Sequence, residues 1–190
     1  MKSAGKFTQQ GFTLVELLIV VIILALLAAI VVPQFASSTE DAKVSSLDTT
    51  LTNVRSAVDL YYQQHGSYPS ATIASGGTCA GTAGTGAKDS SQAFLDQMAL
   101  YTNAAGLACS TKGDGTDPNA YPFGPYIKKS SLSANPITKK AALDIAIAGD
   151  LKLVPSTPGT PLGWRFDNLS GKFIADDDSL DANNIKYSDH

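Results

Sequence analysis

The apolar stretch between Phe12 and Phe35 constrains the fold of this chain more than any other part of its sequence. Residues 17–32 are apolar without interruption, and the flanking residues extend the run beyond the roughly 20 residues that a helix needs to cross a hydrocarbon core. The stretch therefore predicts a membrane helix. Glu16 lies near its start, and a short polar leader, MKSAGKFTQQG, precedes it.

The remainder of the chain limits the possible functions. A length of 190 residues leaves room for one modest domain after the membrane helix. The net charge is −3, and Lys and Arg form no cluster larger than a pair, so the electrostatic pattern of a nucleic-acid-binding protein is missing. No Ser/His/Asp, Cys/His or phosphate-loop pattern is present, which argues against an enzyme or a tethered ligand-binding domain.

The order of the leader and the apolar stretch is the reverse of an ordinary secretory signal, in which the apolar segment precedes the cleavage site. The small-residue junction ahead of the apolar run is Gly11-Phe12. Cleavage there leaves the apolar stretch on the mature protein. The ordinary alternative is a cut after Ala36, but Gln34 then stands where a small residue is preferred.

Charge predicts the orientation of the membrane helix. Lys2 and Lys6 precede it. Glu40 and Asp41 follow it, and only the positive charge of Lys43 lies close to them in the sequence. The positive-inside rule therefore keeps the N-terminus cytoplasmic and places the C-terminal domain outside the cytoplasm.

Glu16 requires a physical explanation, because a carboxylate at the centre of a membrane helix costs about 2.5–3.5 kcal/mol. It lies near the helix end, so its side chain could extend to the lipid headgroups. A second explanation starts from cleavage after Gly11, which creates an α-amine on Phe12. In a polymer, that amine could pair with Glu16 of a neighbouring subunit, and the pairing would offset the desolvation of both charges.

An amphipathic helix is predicted to continue beyond the apolar stretch. Apolar residues recur every three or four positions up to a stop at His65-Gly66; they are Val44, Leu47, Leu51, Val54, Val58 and Tyr61. We expect this stripe to carry the C-terminal domain, with a free coiled coil as the alternative. Pro33 either lies within one long helix or separates two helices.

The residues GFTLVELLIVVIILALLAAIVVPQF resemble the N-terminus of type IV pilins and of the pseudopilins of type II secretion. The resemblance rests on a basic leader ending in Gly11, on Phe12, on Glu16 as the fifth residue after the cut, and on Pro33. It implies cleavage and N-methylation of Phe12 by a prepilin peptidase. It also implies a homo-oligomeric helical filament in which Glu16 neutralises the Phe12 amine of a neighbour.

Two further segments are similar to those of major pseudopilins. They are Gly124-Pro125-Tyr126-Ile127-Lys128-Lys129, followed by Asn135-Pro136, and Tyr61-Tyr62 with Gly66-Ser67-Tyr68-Pro69. This resemblance favours a type II secretion pseudopilin, with minor pseudopilins and an inner-membrane platform as partners, over a type IV pilin of a surface pilus. A cysteine-bearing middle segment departs from the major pseudopilin pattern.

Both cysteines, Cys79 and Cys109, follow the membrane helix. On an oxidising side of the membrane they could form a disulfide that closes a loop of about 30 residues, whereas the alternative is two unrelated thiols. The segment around Cys79 is small, polar and aperiodic, which predicts a loop. A short helix is predicted at about residues 91–103.

The C-terminal part predicts a small antiparallel sheet. Residues 164–167 and 172–175 alternate on either side of Asn168-Leu169-Ser170-Gly171, which is typical of a β-hairpin with Gly171 in a left-handed position. Residues 143–154 fit strands better than a helix. The fold class is therefore α+β. The predicted regions are a leader at 1–11, an assembly helix at 12–35, its amphipathic continuation at 36–66, a variable region at 67–125 and a sheet domain at 126–190.

Four carboxylates crowd the end of the chain, at Asp176, Asp177, Asp178 and Asp181. Calcium takes six to eight oxygen ligands from such groups and from backbone carbonyls. The run loosely resembles the calcium-binding loop of major pseudopilins, which implies Ca²⁺ as a cofactor. The alternative is a solvated acidic segment.

Overall fold

The computed structural model describes residues 12–113, 120–150, 152–156 and 162–190. The chain divides into two compact units, one ending at Ala42 and the other comprising Lys43–His190. Two α-helices, five short β-strands and a final 3-10 helix make up the described part. The predicted α+β class is confirmed.

The long helix, α1, spans Leu14–His65 without a break. It includes residue 33, so a single helix is confirmed and a separation into two helices at Pro33 is wrong. In the second unit, its apolar stripe is buried, with Leu47, Val58 and Tyr61 fully inaccessible to solvent. The stripe therefore contributes to the core of the C-terminal domain rather than to a free coiled coil.

The second helix, α2, spans Ser91–Ala99 and is shorter than predicted. Ser90 caps it by accepting a hydrogen bond from the Ala93 N–H, as expected of a serine at this position. The helix ends early because Leu100 is extended and the next residues form a strand. That strand, β1 (Tyr101–Thr102), pairs antiparallel with β2 (Ala108–Cys109), a small sheet that the sequence did not predict.

The main sheet contains three strands in the order β3-β4-β5. They are β3 (Leu143–Ala146), β4 (Trp164–Asp167) and β5 (Phe173–Ala175). The β4–β5 hairpin is antiparallel as predicted, and Gly171 has a φ of 75°. A Cβ atom at Gly171 would lie 2.3 Å from the Tyr68 ring, so glycine is also required by close packing.

The prediction for the first strand was only partly correct. β3 ends at Ala146, and Ile147 is largely exposed. It runs parallel to β4 rather than antiparallel, so the sheet is mixed. A parallel pair needs a crossover connection, and the segment between Ala146 and Trp164 provides it.

The core of the second unit lies between the α1 stripe, α2 and the main sheet. Its aromatic side chains pack closely: Phe94 lies 4.9 Å from Phe166, and Trp164 lies 5.4 Å from Phe173, between ring centroids. All four side chains are at least 99% buried. Burial of each such side chain contributes about 1.5–3 kcal/mol. These contacts therefore stabilise the core to which the loops are attached.

Candidate functional site

The first half of α1 presents an apolar surface to its surroundings. Among the described residues, one segment is long and apolar enough to cross a membrane, Leu14–Val32, with a mean hydropathy of 3.3 and no burial within the protein. A soluble domain rarely exposes so large a contiguous apolar surface. The segment therefore needs lipid or other protein chains around it.

Glu16 lies in the first turn of this segment and is held by Thr13. The Thr13 backbone N–H and hydroxyl both donate to Glu16 Oε2, at 2.9 and 2.8 Å. In return, the Glu16 N–H donates to Thr13 Oγ1 at 3.2 Å. This reciprocal arrangement is a capping box, which satisfies backbone N–H groups that lack partners at a helix start.

The capping box fixes the position of the carboxylate at the end of the apolar segment. A negative charge at a helix N-terminus is also favoured by the helix dipole. Phe12, the residue that would carry the new α-amine, directly precedes the box and is 83% exposed. Gly11, the predicted cleavage residue, lies outside the described residues. The arrangement can thus present one anion, beside the exposed side chain of Phe12, to a neighbouring molecule.

Thr13 is a member of this site that was not predicted from the sequence. Its signal was present in the sequence, because Thr13-Leu14-Val15-Glu16 has the S/T-x-x-E spacing of a capping box immediately before an apolar run.

Cys79 and Cys109 are joined by a disulfide, with their Cα atoms 5.8 Å apart. The bond attaches the loop around Cys79 to strand β2. The loop is further fixed by helix α2: the Asp96 carboxylate accepts hydrogen bonds from the N–H groups of Thr85 and Gly86, at 2.7 and 2.9 Å. The loop around Cys79 is therefore attached both to β2 and to α2.

Asp176 of the acidic segment is fully buried and already has partners. Its carboxylate accepts hydrogen bonds from the Ser156 N–H, the Ser156 hydroxyl and the Leu162 N–H, at 2.6, 2.7 and 2.9 Å. These donors belong to the crossover before β4. In the described structure, Asp176 therefore attaches Ser156 and Leu162 of this crossover to the end of β5.

The other three acidic residues do not join Asp176 in one cluster. Asp177 accepts from the Ser179 N–H and hydroxyl, and Asp178 is exposed. Asp181 accepts from Asn183 and Ile185, and the Ile185 N–H is the main cause that lowers its pKa. Among the described residues, no three His, Cys, Asp or Glu side chains converge to hold a metal ion.

Arg55 and His190 attach the C-terminal segment to α1. Arg55 donates from Nε to the Phe173 carbonyl at 3.0 Å and from Nη1 to the His190 carbonyl at 2.9 Å. The His190 ring lies between two carboxylates, with Nδ1 3.0 Å from Asp48 Oδ1 and Nε2 3.6 Å from Asp181 Oδ2. The acidic segment is thereby connected to the helix.

His65, predicted as a helix-end residue, is the last residue of α1. Its ring stacks on Tyr61 with centroids 4.0 Å apart, and Nδ1 lies 3.0 Å from the Tyr61 carbonyl oxygen. Partial burial lowers the pKa of His65, against smaller opposing contributions from backbone hydrogen bonds. The neutral ring is therefore the form that the fold favours.

Comparison with known proteins shows which proteins this chain resembles. Residues 6–32 match the prokaryotic N-terminal methylation motif. The chain is 44% identical over 62 residues to the type II secretion system core protein G of Pseudomonas aeruginosa, which covers 33% of this chain and 44% of that protein. It is 41% identical over 68 residues to a fimbrial protein of Neisseria meningitidis, covering 36% of this chain and 40% of that protein.

A second core protein G, from Pectobacterium carotovorum, is 36% identical over 64 residues, covering 34% of this chain and 41% of that protein. The chain thus spans about two fifths of the length of the curated relatives it matches. No solved structure matches it. These findings confirm the predicted resemblance: over about a third of its length the chain is similar to type IV pilins and to the core protein G, a pseudopilin, of type II secretion.

Proposed function

We propose that this protein is a structural subunit of a pilin-like filament, and specifically a pseudopilin of a type II secretion system. The observation that carries the proposal is the segment Leu14–Val32, which is apolar and unburied throughout and has a single carboxylate fixed at its start by Thr13. Such a surface can lie in a bilayer before assembly and against other subunits after it.

Glu16 and Phe12 have complementary roles in this proposal. A prepilin peptidase cleaves after Gly11, and the new amine on Phe12 is N-methylated. When a subunit joins the filament, the carboxylate of Glu16 pairs with the Phe12 amine of a neighbour. Leaving either charge unpaired in an apolar bundle would be costly, so the pair favours one stagger between adjacent helices.

The location follows from the same features. Before assembly, the subunit is a single-pass inner-membrane protein with its N-terminus in the cytoplasm and its C-terminal unit in the periplasm. Minor pseudopilins and an inner-membrane platform are its partners during assembly. The role is structural rather than enzymatic.

The second candidate is a type IV pilin of a surface pilus with roles in adhesion, motility or DNA uptake. It is favoured by the fimbrial protein of Neisseria meningitidis, which aligns over 68 residues, against 62 and 64 for the two core protein G relatives. The pseudopilin is preferred because of the Gly124 to Lys129 segment and the residues that follow α1. Shearing intact cells distinguishes the two, since abundant surface filaments of this protein would contradict the pseudopilin.

The filament proposal is tested with Glu16→Ala in the full-length chain. We expect cleavage after Gly11 to remain intact, as read by the mass of the N-terminal peptide, while the yield of sedimentable polymer is lost. Asp41→Ala removes another exposed carboxylate of α1 and serves as the matched control. Normal polymer from Glu16→Ala would refute the pairing of charges.

Calcium binding by Asp176, Asp177, Asp178 and Asp181 stays a prediction. These residues do not form a ready cation site in the described structure, so binding would require the carboxylates to leave some of their present partners. If calcium binds only the folded protein, added Ca²⁺ will raise the melting midpoint and a chelator will reverse the rise. An unchanged midpoint removes calcium from the proposal.

A further inference from the structure

Lys128 and Lys129 form a basic cleft with the C-terminal half of α1. The cleft has a volume of 270 Å³, and its walls include Thr50, Asn53 and Ser131. Both lysines are exposed, and neither ammonium has an ion pair or hydrogen bond within the part of the chain that the structure describes. Residues 120–143 include four lysines and no Asp or Glu, so no carboxylate of this segment neutralises the cleft.

A second feature of the surface is an acidic pocket. Asp89 lines a pocket of 200 Å³ together with Ile147 and Leu169, and each of these two apolar side chains is 60% exposed. A carboxylate flanked by exposed apolar walls suits a lysine side chain. The lysine's methylene groups can cover the apolar walls while its ammonium meets the carboxylate.

Asp89 is held rigidly in this pocket. It has a φ of 61°, a strained conformation for a residue other than glycine. Its N–H donates to the Ser70 carbonyl at 2.8 Å, and its Oδ1 accepts from Nδ2 of the buried Asn168 at 2.7 Å. The other oxygen, Oδ2, has no donor among the described residues, so it is available to a ligand.

The cleft and the pocket lie at opposite ends of α2. Asp89 directly precedes Ser90, the N-cap of this helix, whereas the N–H groups of Tyr126 and Ile127, which lead into the two lysines, donate to the carbonyl of Met98 in its last turn at 2.8 and 2.9 Å. The nine residues of α2 correspond to about 13 Å of helix. Among the described residues, no ion pair joins Asp89 to Lys128 or Lys129.

We propose that the Asp89 pocket of one subunit receives a lysine, Lys128 or Lys129, from a second copy of this chain. The contact joins two different surfaces, so each copy keeps one surface of each kind free. Such head-to-tail contacts generate open polymers when the rotation between copies does not close a ring. This inference rests on the proposed filament function and adds to it a contact between the C-terminal units.

Lys88 also lines the pocket and opposes the incoming charge. Its side chain is exposed and flexible, so its ammonium can turn toward water, whereas the Asp89 carboxylate is fixed. Removing the charge of Lys88 should therefore strengthen the contact, whereas removing the charge of Asp89 should weaken it.

The test uses the full-length chain and the amount of sedimentable polymer at a series of salt concentrations. We expect Asp89→Asn and the double variant Lys128→Gln/Lys129→Gln each to lower polymer yield about tenfold, because each leaves a charge unpaired at the contact. Asparagine keeps the acceptor for Asn168 and tolerates a positive φ. Combining all three substitutions should cause no further loss, since they remove one shared contact.

Asp189→Asn and Lys152→Gln alter exposed charges elsewhere and should leave the yield unchanged, while Lys88→Gln should make the polymer more resistant to salt. Unchanged melting midpoints would show that the variants fold. Parental yields from the Asp89 and Lys128/Lys129 variants, or losses that add in the combined variant, would overturn the contact while leaving the filament intact. Absence of polymer from the unsubstituted chain would instead overturn the proposed function and this inference with it.

Discussion

The two halves of α1 have the same secondary structure and opposite surroundings. In the first half, the apolar side chains from Leu14 to Val32 are unburied. In the second half, the apolar side chains follow a single stripe, and its members Leu47, Leu51 and Val58 are at least 99% buried by the C-terminal unit. The difference lies in how many faces of the helix are apolar.

The two halves of the helix therefore make different kinds of contact. A helix that is apolar on one stripe can be completed by its own chain, whereas a helix that is apolar on every face needs a bilayer or other subunits. The second half therefore contributes to the folding of one molecule. The first half leaves its apolar surface for contact with lipid or with other chains.

The largest effect is expected from a pair of leucine truncations, one in each half. Leu51→Ala should lower the free energy of unfolding of the C-terminal unit by about 2–5 kcal/mol, because it leaves a cavity in the core. Leu24→Ala, at an unburied position, should change it by less than about 0.5 kcal/mol. Urea unfolding of the full-length chain in detergent measures both, with fluorescence of the single tryptophan, Trp164, as the probe. Equal losses from the two variants would contradict the contrast between the halves.

Removing the disulfide should affect only the unit that contains the second half. Replacing Cys79 and Cys109 by serine opens a loop of about 30 residues, which costs roughly 3–4 kcal/mol in the chain-entropy model. The same urea titration should show this loss. A reducing agent should lower the free energy of unfolding of the parent protein toward that of the variant. Oriented circular dichroism in bilayers should show unchanged helicity of the apolar segment. A loss of that helicity would show that the apolar segment depends on the disulfide, which would contradict the contrast between the two halves.

Thr13→Val tests the first half alone. The substitution removes the hydroxyl that donates to and accepts from Glu16, and loss of an N-cap of this kind costs about 1 kcal/mol. We expect faster amide hydrogen exchange in the first turn of α1 and an unchanged unfolding midpoint of the C-terminal unit. Thr13→Ser keeps the capping hydroxyl and is the control. Unchanged exchange in the valine variant would show that the capping box contributes nothing.

The smallest effect concerns His65 at the end of the second half. Because burial lowers the pKa of His65 in the folded protein, its contribution to stability is fully present above the ordinary histidine pKa of about 6.5 and decreases as the pH falls through that value. His65→Phe retains an aromatic ring against Tyr61 and cannot titrate. The melting midpoint of the parent should therefore fall more steeply from pH 7 to pH 5 than that of the variant, and parallel curves would refute the assignment.

Several features were predictable because a local pattern decides them. The stripe of Val44 to Tyr61 follows the helical repeat, and the hairpin around Gly171 follows turn chemistry, so neither depends on distant residues. Other features depend on contacts far along the chain. The direction of β3 depends on the crossover before Trp164, and the early end of α2 depends on pairing of Tyr101 with Cys109.

The acidic segment, the predicted calcium site, also depends on contacts with residues far along the chain. Its sequence gives four neighbouring carboxylates, but their partners come from elsewhere: Ser156 and Leu162 bind Asp176, and His190 lies beside Asp181. Spacing alone does not distinguish a carboxylate that holds a loop from one that is free to bind a cation.

The sequence by itself determined the apolar helix, the position of Glu16 within it and the relation to pilins and pseudopilins, because hydrophobicity and short motifs act over a few residues. Only the tertiary structure decided that Asp89 is fixed by Asn168 and that the lysine cleft and the Asp89 pocket lie apart. Hydrogen bonds and packing require atoms to meet within a few ångströms, and the folded chain sets which residues meet.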